Sequence, residues 1–165
     1  MIVGSGDIAS VLPERDDLLF FASGVSNSSE TRESEYQREI DLLLEQDNTQ
    51  HIVYFSSLAV LDGTSRYIQH KREMERLVKM CFLDYTIVRI GNITWGNNPH
   101  TLINYLRANP DAEIRDEYRY IVDEDELLYW ISLIPKWSCE MNIPGKRMKV
   151  KEVHDEYVVA HSDEV

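Results

Sequence analysis

The chain has 165 residues, 43% apolar and 28% charged, and its 29 acidic against 17 basic side chains leave a net charge of −12. That length suits one globular domain with its own core, spanning residues 1–165, and the composition is that of an ordinary soluble fold. The acidic balance argues against nucleic acid or an anionic membrane as partner, because phosphate-backbone binding needs clustered cations, although a few N–H groups and one arginine can still hold a nucleotide.

Ile2 and Val3 open a strand that runs into Gly4-Ser5-Gly6-Asp7-Ile8-Ala9. Residues 18–22 form a second, continuous apolar run closed by Ser23-Gly24. Between about residues 29 and 46, Tyr36, Ile40, Leu43 and Leu44 recur at helical spacing. Residues 52–55 read as a third strand ending on Ser56-Ser57, and residues 66–80 as a helix that Thr64 or Ser65 can cap. Residues 85–88 form a fourth strand leading to Arg89-Ile90-Gly91-Asn92. Asn98-Pro99 reads as the cap and first-turn proline of a helix reaching about Ala108. A short strand at 119–122, a helix at 125–134 and a final helix at about 149–160 complete the chain.

Strands without polar alternation are buried on both faces, as in parallel sheets covered by helices. Repeated strand–helix alternation predicts an α/β fold: a Rossmann-like parallel sheet with flanking helices. The four strands end in small or polar residues, which is where open α/β sheets place their ligands.

Other classes have little support. Cys81 and Cys139 lack a metal-binding spacing and are expected as reduced, buried thiols of a cytoplasmic protein. His51, His70, His100, His154 and His161 are scattered, so no metal site is expected. The opening segment lacks the basic and long apolar regions of a secretion signal, and no apolar run approaches a membrane span.

Two motifs carry chemistry. In Gly4-x-Gly6-x-x-Ala9, glycines after a strand permit a tight turn and close approach of a pyrophosphate to backbone N–H groups. Tyr67-x-x-x-Lys71 places a phenol and an ammonium on one helix face. Ser56-Ser57 ends the strand before that helix and Asn92 follows the strand after it, so all these groups converge on one edge of the sheet. Each motif taken singly is also compatible with a plain turn or a solvated helix face.

In combination they resemble the extended short-chain dehydrogenase/reductase family. Phe55-Ser56-Ser57-Leu58-Ala59-Val60 resembles that family's S-[ST]-x-x-V segment, and Tyr67-Ile68-Gln69-His70-Lys71 its Y-x-x-x-K. Arg89-Ile90-Gly91-Asn92-Ile93-Thr94-Trp95-Gly96 is similar to R-P-x-N-x-Y-G, and residues 119–127 to R-[DY]-F-V-Y-V-D-D-V. The elements keep family order and span nearly the whole chain.

The resemblance implies an NAD- or NADP-dependent oxidoreductase, epimerase or dehydratase acting on a nucleotide-linked sugar, as a homodimer joined through the helices at 29–46 and 66–80. Ser57, Tyr67 and Lys71 would be catalytic. Tyr67 would exchange a proton with the sugar oxygen, its phenolate favoured by the Lys71 ammonium and a nicotinamide cation. Ser57 would hydrogen-bond that oxygen. Gly4, Gly6, Asp7, Ile8, Ala22, Ser23, Gly24 and Ile90, together with Tyr67 and Lys71, would contact the cofactor. Asn92 and Arg119 would contact the substrate diphosphate.

The sequence also departs from the family. Only about a dozen residues separate the glycine turn from the run at 18–22, where relatives carry a further βαβ stretch. The acidic residue that grips the adenosine ribose has no counterpart near Val25-Ser26-Asn27, and Asp16 and Asp17 read as turn residues. Ile90 stands in the place of the R-P-x-N proline. These losses keep two alternatives open: a binding protein with a nucleotide-sugar pocket but weak or absent cofactor binding, and a regulatory or assembly protein using the fold as a scaffold.

Overall fold

The computed structural model describes residues 1–160; His161 lies outside them. Five strands, β1 (Ile2–Val3), β2 (Leu19–Phe21), β3 (Ile52–Ser57), β4 (Tyr85–Ile90) and β7 (Cys139–Ile143), form an all-parallel sheet in the order β1-β2-β3-β4-β7. The longest pairing runs from Ile52 opposite Tyr85 to Ser57 opposite Ile90. The predicted α/β class and Rossmann-like sheet are what the structure has.

Side chains alternate across a strand, and both faces are covered. Leu19, Phe21, Ile52, Tyr54 and Ile87 pack on one face against Leu43 of helix α1 (Glu33–Leu44) and Met74 and Val78 of helix α2 (Arg66–Cys81). Phe20, Val53, Phe55 and Val88 pack on the other against Leu127 and Ile131 of helix α4 (Glu124–Ser132). Burying each of these large side chains contributes about 1.5–3 kcal/mol. The acidic run at 123–126 has its own logic: Asp123 is the N-cap of α4, and Glu124, Asp125 and Glu126 fill its first turn, where the helix dipole favours negative charge.

A second, three-stranded sheet stands beside the C-terminal ends of the first. Strands β5 (Asn92–Ile93) and β6 (Tyr118–Val122) are parallel, and β8 (Lys146–Lys149) pairs antiparallel with β6. Helices α3 (Leu102–Ala108) and α5 (Val150–Val153), the latter continuing as a π-helical turn over His154–Val159, close its core around Ile103, Ile121, Met148 and Val153.

Several expectations need correction. Helix α1 begins at Glu33 rather than near 29, because residues 27–32 are drawn into local bonds: Tyr36 donates to the Glu30 carbonyl, and Arg32 pairs with Glu30. The cap of α3 is Thr101, which accepts from the Asn104 N–H, while Asn98 accepts from the His100 N–H in a turn that ends before the helix. Cys81 and Cys139 are free thiols but half-buried rather than buried. Strands β5, β7 and β8 were not predicted. No described helix is long and apolar enough to cross a membrane.

Candidate active site

A cleft of about 1200 Å³ opens at the C-terminal ends of the parallel strands, and residues from every candidate segment line it. It draws Gly6, Asp7 and Ile8 from the turn after β1, Ala22, Ser23 and Gly24 from the end of β2, and Ser57 from the end of β3. Tyr67 and Lys71 come from α2, Ile90 from β4, Asn92 from β5 and Arg119 from β6. Gly4 alone among the candidates is not on its surface.

The two serines have different tasks. Ser56, buried, donates its hydroxyl to Glu75 at 2.7 Å, and Glu75 also receives the Arg89 guanidinium. Ser57 ends β3 and caps the 3₁₀ turn Leu58–Leu61, its Oγ accepting from the Ala59 N–H at 3.1 Å. Its own O–H remains for a ligand.

Helix α2 starts at Ser65, whose Oγ accepts from the Ile68 N–H. This sets Tyr67 on the first turn, facing the cleft, and Lys71 one turn further in. Lys71 Nζ lies 5.7 Å from the centre of the Tyr67 ring. No described group hydrogen-bonds the Tyr67 hydroxyl.

Lys71 belongs to a buried polar cluster. Its ammonium contacts Glu39 Oε1 at 3.3 Å and the Tyr54 hydroxyl at 3.2 Å. Glu39, fully buried, also accepts from the Val25 N–H at 2.7 Å, the Tyr54 hydroxyl at 2.5 Å and His70 Nε2 at 3.1 Å. Burial pushes the Glu39 carboxyl up, but the Lys71 ammonium and the other three donors outweigh it and hold the group well below the usual carboxylate range. Burial, with the adjacent Glu39 charge, pushes the Tyr54 phenol well up. An ammonium has three N–H donors. Glu39 Oε2 also lies within 3.5 Å, so all three are directed at Glu39 and Tyr54.

Glycines at two positions serve close packing. Gly4 has φ +124°, and a Cβ there would stand 2.3 Å from the Ala22 carbonyl oxygen, so this glycine lets the ends of β1 and β2 touch. Gly24 covers the ammonium: a Cβ there would fall 2.5 Å from Lys71 Nζ. Gly6, by contrast, has nothing within 4 Å of such a Cβ.

The glycine turn is followed by a three-residue 3₁₀ turn, Ala9–Val11, and not by a helix. The Asp7 carboxylate accepts from the Asn97 and Asn98 N–H groups at 3.0 and 2.9 Å, and the Asp7 carbonyl accepts from the Trp95 indole at 2.9 Å. On the substrate side, Asn92 donates to the Tyr120 carbonyl at 3.1 Å and keeps its carboxamide oxygen, while Arg119, exposed, pairs with Glu117 at 2.7 Å.

Sequence reasoning missed Glu39, Arg38 and His100. Arg38 lines the cleft, its guanidinium donating to the Ser23 carbonyl at 3.0 Å, and His100 lines it too. No group of three or more His, Cys, Asp and Glu among the described residues could hold a metal ion.

The parallel sheet with helices on both faces defines a Rossmann-like fold. No protein-family profile and no curated protein matches the sequence. Solved structures do. The Bordetella bronchiseptica enzyme WbmG in complex with NAD superposes with a TM-score of 0.67 at 12% identity, covering 90% of this chain and 57% of that one. UDP-N-acetylglucosamine 4-epimerase from Methanobrevibacter ruminantium M1, in complex with UDP-N-acetylmuramic acid, gives 0.65 at 17% identity, covering 90% and 61%. The dTDP-4-dehydrorhamnose reductase from Bacillus anthracis, in complex with NADP, gives 0.60 at 14% identity, covering 84% and 61%. The chain therefore spans 57 to 61% of the length of these three proteins, and at such identities the likeness is one of fold.

Proposed function

We propose that the protein is an enzyme acting on a nucleotide-linked sugar, an oxidoreductase, epimerase or dehydratase that uses NAD or NADP. The observation that supports this best is the convergence of Ser57, Tyr67 and Lys71 with Asn92 and Arg119 on one cleft at the C-terminal ends of a parallel sheet.

Tyr67 is the proton-transfer group. Its hydroxyl, unpartnered within the described chain, gives a proton to or takes one from the sugar oxygen at the reacting carbon. Ser57 donates a hydrogen bond to that same oxygen and fixes its position. Asn92 offers its second amide N–H and Arg119 its guanidinium to the diphosphate, the guanidinium fork suiting a phosphate group. The donor set on the Lys71 side suits the nicotinamide ribose, whose hydroxyl would take an ammonium N–H in exchange for the long contact to Glu39 Oε2. When bound, the nicotinamide supplies the hydride donor or acceptor.

We also propose a homodimer through the outer faces of α1 and α2, where Leu44 and Met80 are exposed. Sedimentation velocity at micromolar concentration tests it, and a monomer would refute it.

The activity is tested by incubating the protein with UDP- and dTDP-linked hexoses and with NAD or NADP, following reduced nicotinamide and the product sugar. A binding protein with no turnover is the second reading. The engagement of the Lys71 ammonium by both Glu39 oxygens and Tyr54 favours it, and it predicts saturable UDP binding without product.

A further inference from the structure

The cleft is built unequally at its two ends. The end near α2 has a phenol, an ammonium and a serine hydroxyl within one pocket. The end at the glycine turn has no equivalent. A dinucleotide fold seats its pyrophosphate at a helix N-terminus, and its adenosine beyond, against a further strand whose acidic residue holds the ribose. Here the sheet stops at β1, which has two residues and only β2 as a neighbour. The segment joining β1 to β2 holds only a three-residue 3₁₀ turn. The absence of a Cβ at Gly4 is required by the Ala22 carbonyl. The one carboxylate at the turn, Asp7, already takes two backbone N–H groups from the loop at 97–98. A ribose hydroxyl would have to compete with both.

We infer that this cleft recognises only the nicotinamide mononucleotide half of a dinucleotide, and leaves the adenosine, with the 2′-phosphate that distinguishes NADP from NAD, outside in solvent. The inference rests on the reading of the preceding subsection. Its physical content is that the contacts available lie between Gly6 and Tyr67. Among the described residues no strand pairs with the far side of β1 and no α-helix follows its turn, so an adenosine placed there adds little to affinity. The protein would then take the cofactor as an exchanging co-substrate and ignore its adenosine substituents.

Calorimetric titration of the full chain with reduced nicotinamide mononucleotide, NADH and NADPH tests this directly, with UDP titrated in parallel. The expected result is three dissociation constants within about three-fold of one another, because a group left in solvent contributes almost nothing to binding. AMP and ADP-ribose should fail to displace NADH. A preference of about ten-fold or more for NADH over the mononucleotide, equivalent to about 1.4 kcal/mol, or for one of NADH and NADPH over the other, overturns the inference and leaves the proposed function standing. Displacement of NADH by AMP does the same. Binding of UDP with no binding of any nicotinamide compound overturns the inference together with the cofactor half of the proposed function.

Discussion

Lys71 Nζ and Glu39 Oε1 lie 3.3 Å apart, with side-chain exposures of only 4% and 0%. The residue expected from its motif to hold a cofactor ribose is thus also the counter-ion of a buried carboxylate. Breaking a buried pair by removing one partner leaves an uncompensated charge and costs about 3–5 kcal/mol. Lys71→Met should therefore lower the urea midpoint strongly. Loss of activity in that variant says nothing about catalysis unless stability is measured beside it. Glu39→Gln keeps the shape of the site but strands the Lys71 ammonium, so it should lower the midpoint as well.

The same pair predicts a pH dependence. A glutamate in an unfolded chain titrates near about 4.3, whereas Glu39 in the folded protein is held well below its usual range: burial raises it, but Lys71, His70, Tyr54 and the Val25 N–H lower it by more. As pH falls, the unfolded chain binds the proton first. The stabilisation is complete above about pH 4.3 and is lost progressively below it. Between pH 6 and pH 3.5 the urea midpoint of the wild type should drop further than that of Glu39→Gln. Surface carboxylates contribute equally to both and cancel. Equal drops would show that folding does not shift the Glu39 carboxyl, and a smaller drop in the wild type that it folds protonated.

Tyr67→Phe removes one oxygen and leaves the ring in place. Turnover of the nucleotide sugar should fall by about 10² to 10⁴, the usual contribution of a positioned proton-transfer group. UDP affinity and thermal stability should barely move, because the hydroxyl has no hydrogen-bond partner in the described chain. Retained turnover sinks the assignment.

The two glycines of the turn should behave differently. Gly4→Ala forces a side chain into φ +124° and against the Ala22 carbonyl, and the backbone term alone costs about 1–2 kcal/mol. Gly6→Ala enters open space and should leave stability within about 0.5 kcal/mol while weakening nucleotide binding. Thermal unfolding of the pair, with titration of Gly6→Ala, checks both.

The central strands were legible because β2, β3 and β4 are buried on both faces and read as unbroken apolar runs. Strand β7 was not. Its sequence, Cys-Glu-Met-Asn-Ile, alternates between exposed and covered positions because it lies at the sheet edge, and five residues of alternation do not stand out from a loop. Asn92 and Arg119 were found by motif, but the small sheet that carries them was missed because β5 has only two residues. Glu39 left a trace that went unread. The buried residues of α1 are Tyr36, Glu39 and Leu43, so a carboxylate occupies the apolar stripe of an amphipathic helix. Such a placement calls for a buried cation, and Lys71 falls on the buried stripe of α2. That the two stripes face each other is tertiary information, absent from either helix alone.

The bond from the Trp95 indole to the Asp7 carbonyl gives the molecule an optical reporter of its own occupancy. An indole tethered to the glycine turn changes its emission when a ligand displaces water there, and reduced nicotinamide absorbs light in the region where indole emits. Trp130 and Trp137 do not line the cleft and are exposed to solvent. With both replaced by phenylalanine, the remaining fluorescence would come from one indole bonded to Asp7, a residue that lines the cleft. Quenching by the mononucleotide but not by UDP would then map which end each compound fills, without any label.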